Sequence, residues 1–294
     1  MTEQRMETTE LLKKVRAIEI RTKGLSKQIF SGEYHSAFKG RGMAFSENRE
    51  YQHGDEIRTI DWNVTARFGH PYVKVFEEER ELTAIIMADV SASGDFGTRQ
   101  QLKRQLITEL TGVLAFSAIQ NNDKIGVLLF SDRIELFIPP KKGRTHILRI
   151  ISELLDFQPQ GQGTNISLAL DYLNRVVKKR AICFLLSDFL DHGFDHALRI
   201  TSRKHDLVAI HVEDRGEAQL PNAGWLLIRD AESGETRWIN SSSKSVQKAL
   251  KSEYIERKSK LKESFGKAGV DFISLKTDEP YIQPLMTLFK KRGN

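Results

Sequence analysis

The stretch Thr83-Ala84-Ile85-Ile86-Met87-Ala88-Asp89-Val90-Ser91-Ala92-Ser93 constrains this chain more than any other. It begins as a short, continuous apolar run, the pattern of a strand covered on both faces. It then sets a carboxylate and two hydroxyls on alternate residues, Asp89, Ser91 and Ser93. A helical pattern starts soon afterwards, so these hydroxyls fall in a strand-to-helix loop. That loop lies at the strand's carboxyl end, where open α/β sheets hold their ligands. Oxygen donors at this spacing suit a hard divalent cation, Mg²⁺ or Mn²⁺. A plain loop with an N-cap serine would account for the same three residues.

The rest of the chain gives that stretch a context. Its 294 residues are enough for one large α/β domain with additions, or for two small domains. Hydrophobic residues at 39% and charged residues at 29% belong to a globular protein. No apolar run approaches the length of about 20 residues that spans a bilayer. The stretch Met1 to Glu10 carries no apolar signal-peptide core. The expected location is therefore cytoplasmic, with peripheral membrane contact left open. The single cysteine, Cys183, sits in an apolar run and is expected to be a buried thiol. A net charge of +6 and a pI near 9.2 permit an anionic partner without requiring one. Zinc-ligand spacing, a Walker-type glycine loop, heptads and internal repeats are absent from the sequence.

In chain order, residues 7–22 read as an amphipathic helix with Leu11 or Leu12, Val15 and Ile18 on one face. A polar segment follows to Arg80, where Arg58 and Arg67 are placed to pair with Asp55 and Asp61. Trp62 is expected to pin the segment to the body. From residue 82 the pattern becomes regular. Strands are predicted at 82–88, 124–130, 133–138, 181–187, 206–212 and 270–275, with Pro139 and Pro140 ending the third. Helices are predicted at 99–120, 145–156, 166–177, 194–204 and 244–266, with a last one carrying Ile282, Leu285, Met286 and Phe289. A hairpin is expected at 225–240. The predicted fold is α/β, a doubly wound, mostly parallel sheet with one antiparallel edge strand. Residues 1–81 would form an N-terminal arm packed on a body at 82–294 that carries the hairpin as an insertion.

Two later segments complete the site. Thr164 lies in the glycine-rich loop Gly161-Gln162-Gly163-Thr164-Asn165, although Thr164 or Asn165 would also serve as an N-cap. Asp188 ends the apolar strand at 181–187. In a doubly wound sheet the three loops meet at the carboxyl ends of adjacent strands. Asp89, Ser91, Ser93, Thr164 and Asp188 would then surround one cation and leave a position open for an external oxygen ligand. This set resembles the metal-ion-dependent adhesion site of von Willebrand factor type A domains, a likeness that runs over about 82–212. The preceding segment, Arg49-x-Tyr51-x-x-Gly54-Asp55-x-x-Arg58-x-Ile60-Asp61-Trp62-x-x-x-Ala66-Arg67, resembles the hallmark of a bacterial family known as domain of unknown function number fifty-eight.

The resemblance implies a Rossmann-like type A fold, a Mg²⁺ (or Mn²⁺) site and a cytoplasmic bacterial protein. It also implies an adaptor or chaperone-like role beside a MoxR-type AAA+ ATPase, because family members are often encoded next to one. By the same resemblance Ser91 and Ser93 bind metal directly, Thr164 directly or through water, and Asp89 and Asp188 mainly through water. One residue departs from the pattern: Phe189 follows Asp188 where other type A domains commonly have glycine. The leading expectation is thus a metal-dependent protein-interaction module, not an enzyme, whose partner donates an acidic residue to the metal. The rivals are a metal-dependent phosphoester hydrolase, for which His192 is the histidine closest in sequence to the site, and a basic binder of membrane or nucleic acid that uses the lysines at 244–267. Nucleic acid is not the expected partner, since no aromatics interleave those lysines.

Overall fold

The computed structural model describes residues 13, 15–22, 43–78, 82–98, 101–229 and 234–293. Its strands are β1 (Met43–Glu50), β2 (Tyr72–Glu78), β3 (Thr83–Asp89), β4 (Lys124–Phe130), β5 (Ile134–Lys141), β6 (Ile182–Ser187), β7 (Asp206–Glu213), β8 (Trp225–Arg229), β9 (Thr236–Asn240) and β10 (Asp271–Lys276). Its helices are α1 (residues 15–22), α2 (Trp62–Phe68), α3 (Lys103–Gln120), α4 (Arg144–Asp156), α5 (Ile166–Val176), α6 (Asp195–Lys204), α7 (Arg215–Ala218), α8 (Lys244–Lys267) and α9 (Ile282–Gly293).

Six strands form the central sheet in the order β10-β7-β6-β3-β4-β5. All neighbours are parallel except β4 and β5, so β5 is the antiparallel edge strand that the sequence predicts. Counted from β3 as the first strand, the order is 3-2-1-4-5-6, the doubly wound pattern. The winding reverses between β3 and β6, and the crevice of such a sheet opens at the carboxyl ends of that pair. This is the doubly wound topology, with one antiparallel edge strand, that the resemblance to von Willebrand factor type A domains implies.

Strand β3 shows why the sheet is central. Ala84, Ile86 and Ala88 enter one hydrophobic core with α3, α4 and α9, while Ile85 and Met87 enter the other with α5, α6 and α8. A continuous apolar run is what a strand buried on both faces requires. Cys183 on β6 is buried and unpaired, as expected, and burial pushes its thiol pKa up.

Gly112 on α3 marks where α1 docks. A side chain there would lie 3.2 Å from Thr22 and 3.3 Å from Ile18. Arg21 reaches Glu109 at 2.5 Å and Arg144 reaches Glu19 at 2.6 Å, which fixes α1 from both sides. Val15 is buried and Ile18 half-buried on the predicted face; Leu11 and Leu12 lie outside the described residues.

Three local expectations fail. Pro139 and Pro140 do not end β5 but lie within it. An edge strand tolerates proline where no partner needs its N–H. Gly126 on β4 makes room for them, because a Cβ there would meet Ile138 O and Pro140 N at 2.9 Å. The arm also pairs differently. Arg49 holds Asp55 in a bidentate contact at 2.8 and 2.7 Å. The Asp61 carboxylate caps α2 by accepting from the Asn63 and Val64 amides at 3.0 and 3.3 Å. With both carboxylates so occupied, Arg58 and Arg67 stand exposed. Trp62, the first residue of α2, is 67% exposed and pins nothing. Strands β8 and β9 form the predicted antiparallel hairpin, whose turn lies partly outside the described residues.

Phe189 has a left-handed backbone, φ 53°. The chain thus keeps the conformation that a glycine would adopt, in a bulky residue that ordinarily avoids it. Packing holds it there. The ring is buried, with centroids 5.0 Å from Phe265, 5.9 Å from His211 and 6.2 Å from Phe194. Phe189→Ala should lower unfolding free energy by about 3–5 kcal/mol. Phe189→Gly, which loses the same contacts but relieves the backbone, should be more stable than the alanine variant by about 1–2 kcal/mol. Urea unfolding of the two variants checks this, and a glycine variant no more stable than the alanine one would show that the backbone is unstrained.

Candidate metal centre

The five predicted residues converge at the switch point. Asp89 is the last residue of β3, and Ser91 and Ser93 follow it in the turn towards α3. Thr164 precedes α5, and Asp188 follows β6. The loops are tied by their backbones, with Ala92 N–H donating to Gln162 O at 3.0 Å and Asn165 N–H to Ser131 O at 2.8 Å. The glycine loop can approach this closely because Gly161 has no side chain; a Cβ there would lie 2.1 Å from Asp132 Oδ1. Asn165, not Thr164, is the N-cap of α5, accepting from Leu168 N–H at 2.9 Å.

Asp89, Ser91, Ser93 and Asp188 are buried, and Thr164 is half-buried at the rim. Ser91 Oγ and Ser93 Oγ lie 3.0 Å apart. Asp89 Oδ1 accepts from the Ser91 amide at 3.0 Å. Its Oδ2 accepts from Ser187 Oγ at 2.5 Å and Thr164 Oγ1 at 3.3 Å. Asp89 is thus surrounded by neutral donors, and its charge is poorly balanced. Burial, together with the negative charge of Asp188, pushes its pKa up to about 7 against the pull of the Ser187 and Ser91 hydrogen bonds.

Asp188 is in the opposite situation. Burial alone would raise its pKa, but the Lys103 ammonium at 2.8 Å, together with a hydrogen bond from the Ser93 side chain, outweighs burial and holds it below the usual carboxylate range. Lys103 also touches Glu217 Oε1 at 2.5 Å. Glu217 reaches Arg257 on α8 at 3.1 Å. Beside this chain of charges, His211 is buried with its Nδ1 3.7 Å from Glu213. Burial lowers its pKa to about 4, so the ring is neutral at pH 7.

Two carboxylates and three hydroxyls, with one carboxylate lacking a countercharge, fit a hard divalent cation. Among the described residues no group of three or more His, Cys, Asp or Glu side chains is placed to hold a metal ion. The donor set here is instead rich in hydroxyl oxygen, which favours Mg²⁺ or Mn²⁺ over zinc.

The sequence reading missed Lys103, Ser187, His211 and Glu217. Lys103 had a visible signal. It stands three and seven residues before Leu106 and Leu110, on the stripe that faces the core, where a lysine must find anionic partners. His211 gave none, because any histidine within an apolar strand reads alike. His192, the histidine closest in sequence, is exposed.

The chain is 29% identical over 286 residues to uncharacterized protein Rv1480 of Mycobacterium tuberculosis, covering 95% of this chain and 88% of that one. An aerotolerance-related membrane protein from Bacteroides fragilis superposes with a TM-score of 0.48 at 16% identity, over 71% of this chain and 99% of that one. BatB from Bacteroides thetaiotaomicron superposes with a TM-score of 0.46 at 15% identity, over 72% and 98%. Structural likenesses of this degree say nothing about the site. The family model for protein of unknown function DUF58 matches residues 47–260, most of the chain's length. The chain belongs to the DUF58 family.

Proposed function

We propose that the chain is a metal-dependent protein-interaction module that serves as an adaptor or chaperone-like partner of a MoxR-type AAA+ ATPase in the cytoplasm. The observation that carries the reading is Asp89, buried beside Asp188, its pKa pushed up to about 7 by burial and by the Asp188 charge, so that its ionised form calls for a positive charge. A divalent ion would supply that charge, together with a coordination position for an external carboxylate. Ser91 and Ser93 would offer oxygens directly, Thr164 directly or through water. Asp89 and Asp188 would act mainly through water. The switch-point crevice supports the interaction role, since it is where this architecture receives ligands. The choice of an ATPase rests on the family resemblance alone. Among the described residues no helix is long and apolar enough to cross a membrane.

Hydrolysis has less support. It would need a hydroxyl beside an accessible base, and His211, although the Ser274 hydroxyl lies 3.2 Å from its Nδ1, is buried, stacked on Phe272, tilted against Phe189 and facing Glu213. A basic binding surface on α8 is weakened by pairing. Lys260 reaches Glu256 and Lys267 reaches Glu263, each at 2.7 Å, and Lys258 reaches Glu213 at 2.8 Å.

Addition of Mg²⁺ at about one hundred times its dissociation constant should stabilise the chain by about 2.7 kcal/mol, read as a rise in Tm that EDTA reverses. Asp89→Ala should abolish the rise; a full rise in that variant would place the ion elsewhere. For the partner, Ser93→Ala should weaken binding to a MoxR-type ATPase roughly 30- to 1,000-fold, the range of a central contact worth about 2–4 kcal/mol. Titration in Mg²⁺ and in EDTA, with circular dichroism to verify folding, checks this. Equal affinity under all conditions would remove the metal from the interface.

A further inference from the structure

A lysine in the first turn of a helix normally carries its ammonium into water. Lys103 does not. Its side chain is 3% exposed, and Nζ lies between Asp188 Oδ2 at 2.8 Å and Glu217 Oε1 at 2.5 Å. The Phe96 ring lies 5.6 Å from the same ammonium. Burying a lysine on a helix stripe shared with Leu106 and Leu110 is unfavourable unless its charge is matched, and two carboxylates match it here.

This placement bears on the metal site. The carboxylate that Lys103 holds belongs to one of the five residues assigned to the cation. A positive charge at that oxygen opposes a second positive charge nearby, and in a buried site the repulsion is little screened. Glu217 sits on the far side and is itself divided. Its Oε1 takes Lys103 and the Asp214 amide at 3.3 Å, while its Oε2 takes Arg257 of α8 at 3.1 Å. The share of Lys103 that falls to Asp188 therefore depends on how strongly Glu217 draws it away.

We infer that Lys103 is a tethered cation that competes with the divalent ion for Asp188 and so sets the site's metal affinity, and that Glu217 tunes this by drawing Lys103 off Asp188. The inference rests on the metal reading given above. It makes an unusual demand on sign: removing Lys103 must strengthen metal binding, whereas removing the charge of Glu217 must weaken it. A role confined to holding the loops together would weaken binding in both cases.

Isothermal titration of the full chain with MnCl₂ and MgCl₂ tests this in the wild type, Lys103→Met, Lys103→Arg and Glu217→Gln. Lys103→Met should bind at least about tenfold more tightly. Lys103→Arg, which keeps the charge, should stay within about threefold of wild type, and Glu217→Gln should bind about tenfold more weakly. The metal-induced rise in Tm should also be larger in Lys103→Met than in wild type, because the ion then restores a lost countercharge. A natively folded Lys103→Met with equal or weaker affinity overturns the inference while leaving the metal reading intact. Should Lys103→Met fold only with metal present, Glu217→Gln decides, and equal or tighter binding there overturns it. Binding by Lys103→Met alone supports it. Absence of binding in all four proteins removes both the metal reading and this inference.

Discussion

Two carboxylates emerge side by side from adjacent parallel strands, and the structure around the crevice answers to that fact. Asp89 ends β3 and Asp188 follows β6, so the pairing that builds the sheet also forces two like charges together in a buried place. Like charges that share a site cannot both ionise without help. The chain supplies that help unequally. Asp188 has Lys103, and among the described residues the donors on Asp89 are hydroxyls and an amide. On the proposed reading, a cation bound in the crevice would relieve that asymmetry, and Lys103 would be its built-in rival.

The same asymmetry ties the site to the rest of the body. Through Lys103, Glu217 and Arg257 the crevice is linked to α7 and α8 by direct ion pairs. Through Phe189 it is linked to the aromatic cluster that α8 closes with Phe265. The left-handed backbone at Phe189 is held by that cluster, so the loop carrying Asp188 takes its shape from packing rather than from a glycine. In this chain the conformation of the loop and the seating of α8 are therefore coupled.

Much of this was legible in the sequence because the signals are periodic. Strand β3 reads as doubly buried from its unbroken apolar run, and the alternation of strands and helices implies the wound sheet. Four of the five candidate residues follow from their places at or just past strand ends and Thr164 from its glycine-rich loop before a helix, and the structure brings the five together. What stayed hidden depends on competition between neighbours. Asp61 could serve Arg58 or its own helix amides, and the amides win because they are fixed at short range. Trp62 reads as an anchor by size alone, yet its position at the start of α2 leaves it in solvent. Pro139 and Pro140 read as a stop, and only the absence of a second partner beyond β5 allows the strand to continue through them. Lys103 was legible in principle as a charge on an apolar stripe, but its partners come from residues 85 and more than 100 positions away.

The central claim is that the crevice between β3 and β6 holds one divalent ion. The most direct measurement is anomalous diffraction from crystals grown with MnCl₂. The account predicts a single strong peak about 2.1–2.2 Å from both Ser91 Oγ and Ser93 Oγ, with Asp89 and Asp188 on the far side of bound water and Lys103 Nζ outside the coordination shell. A crevice without a peak at saturating Mn²⁺, with Lys103 still on Asp188, would contradict it.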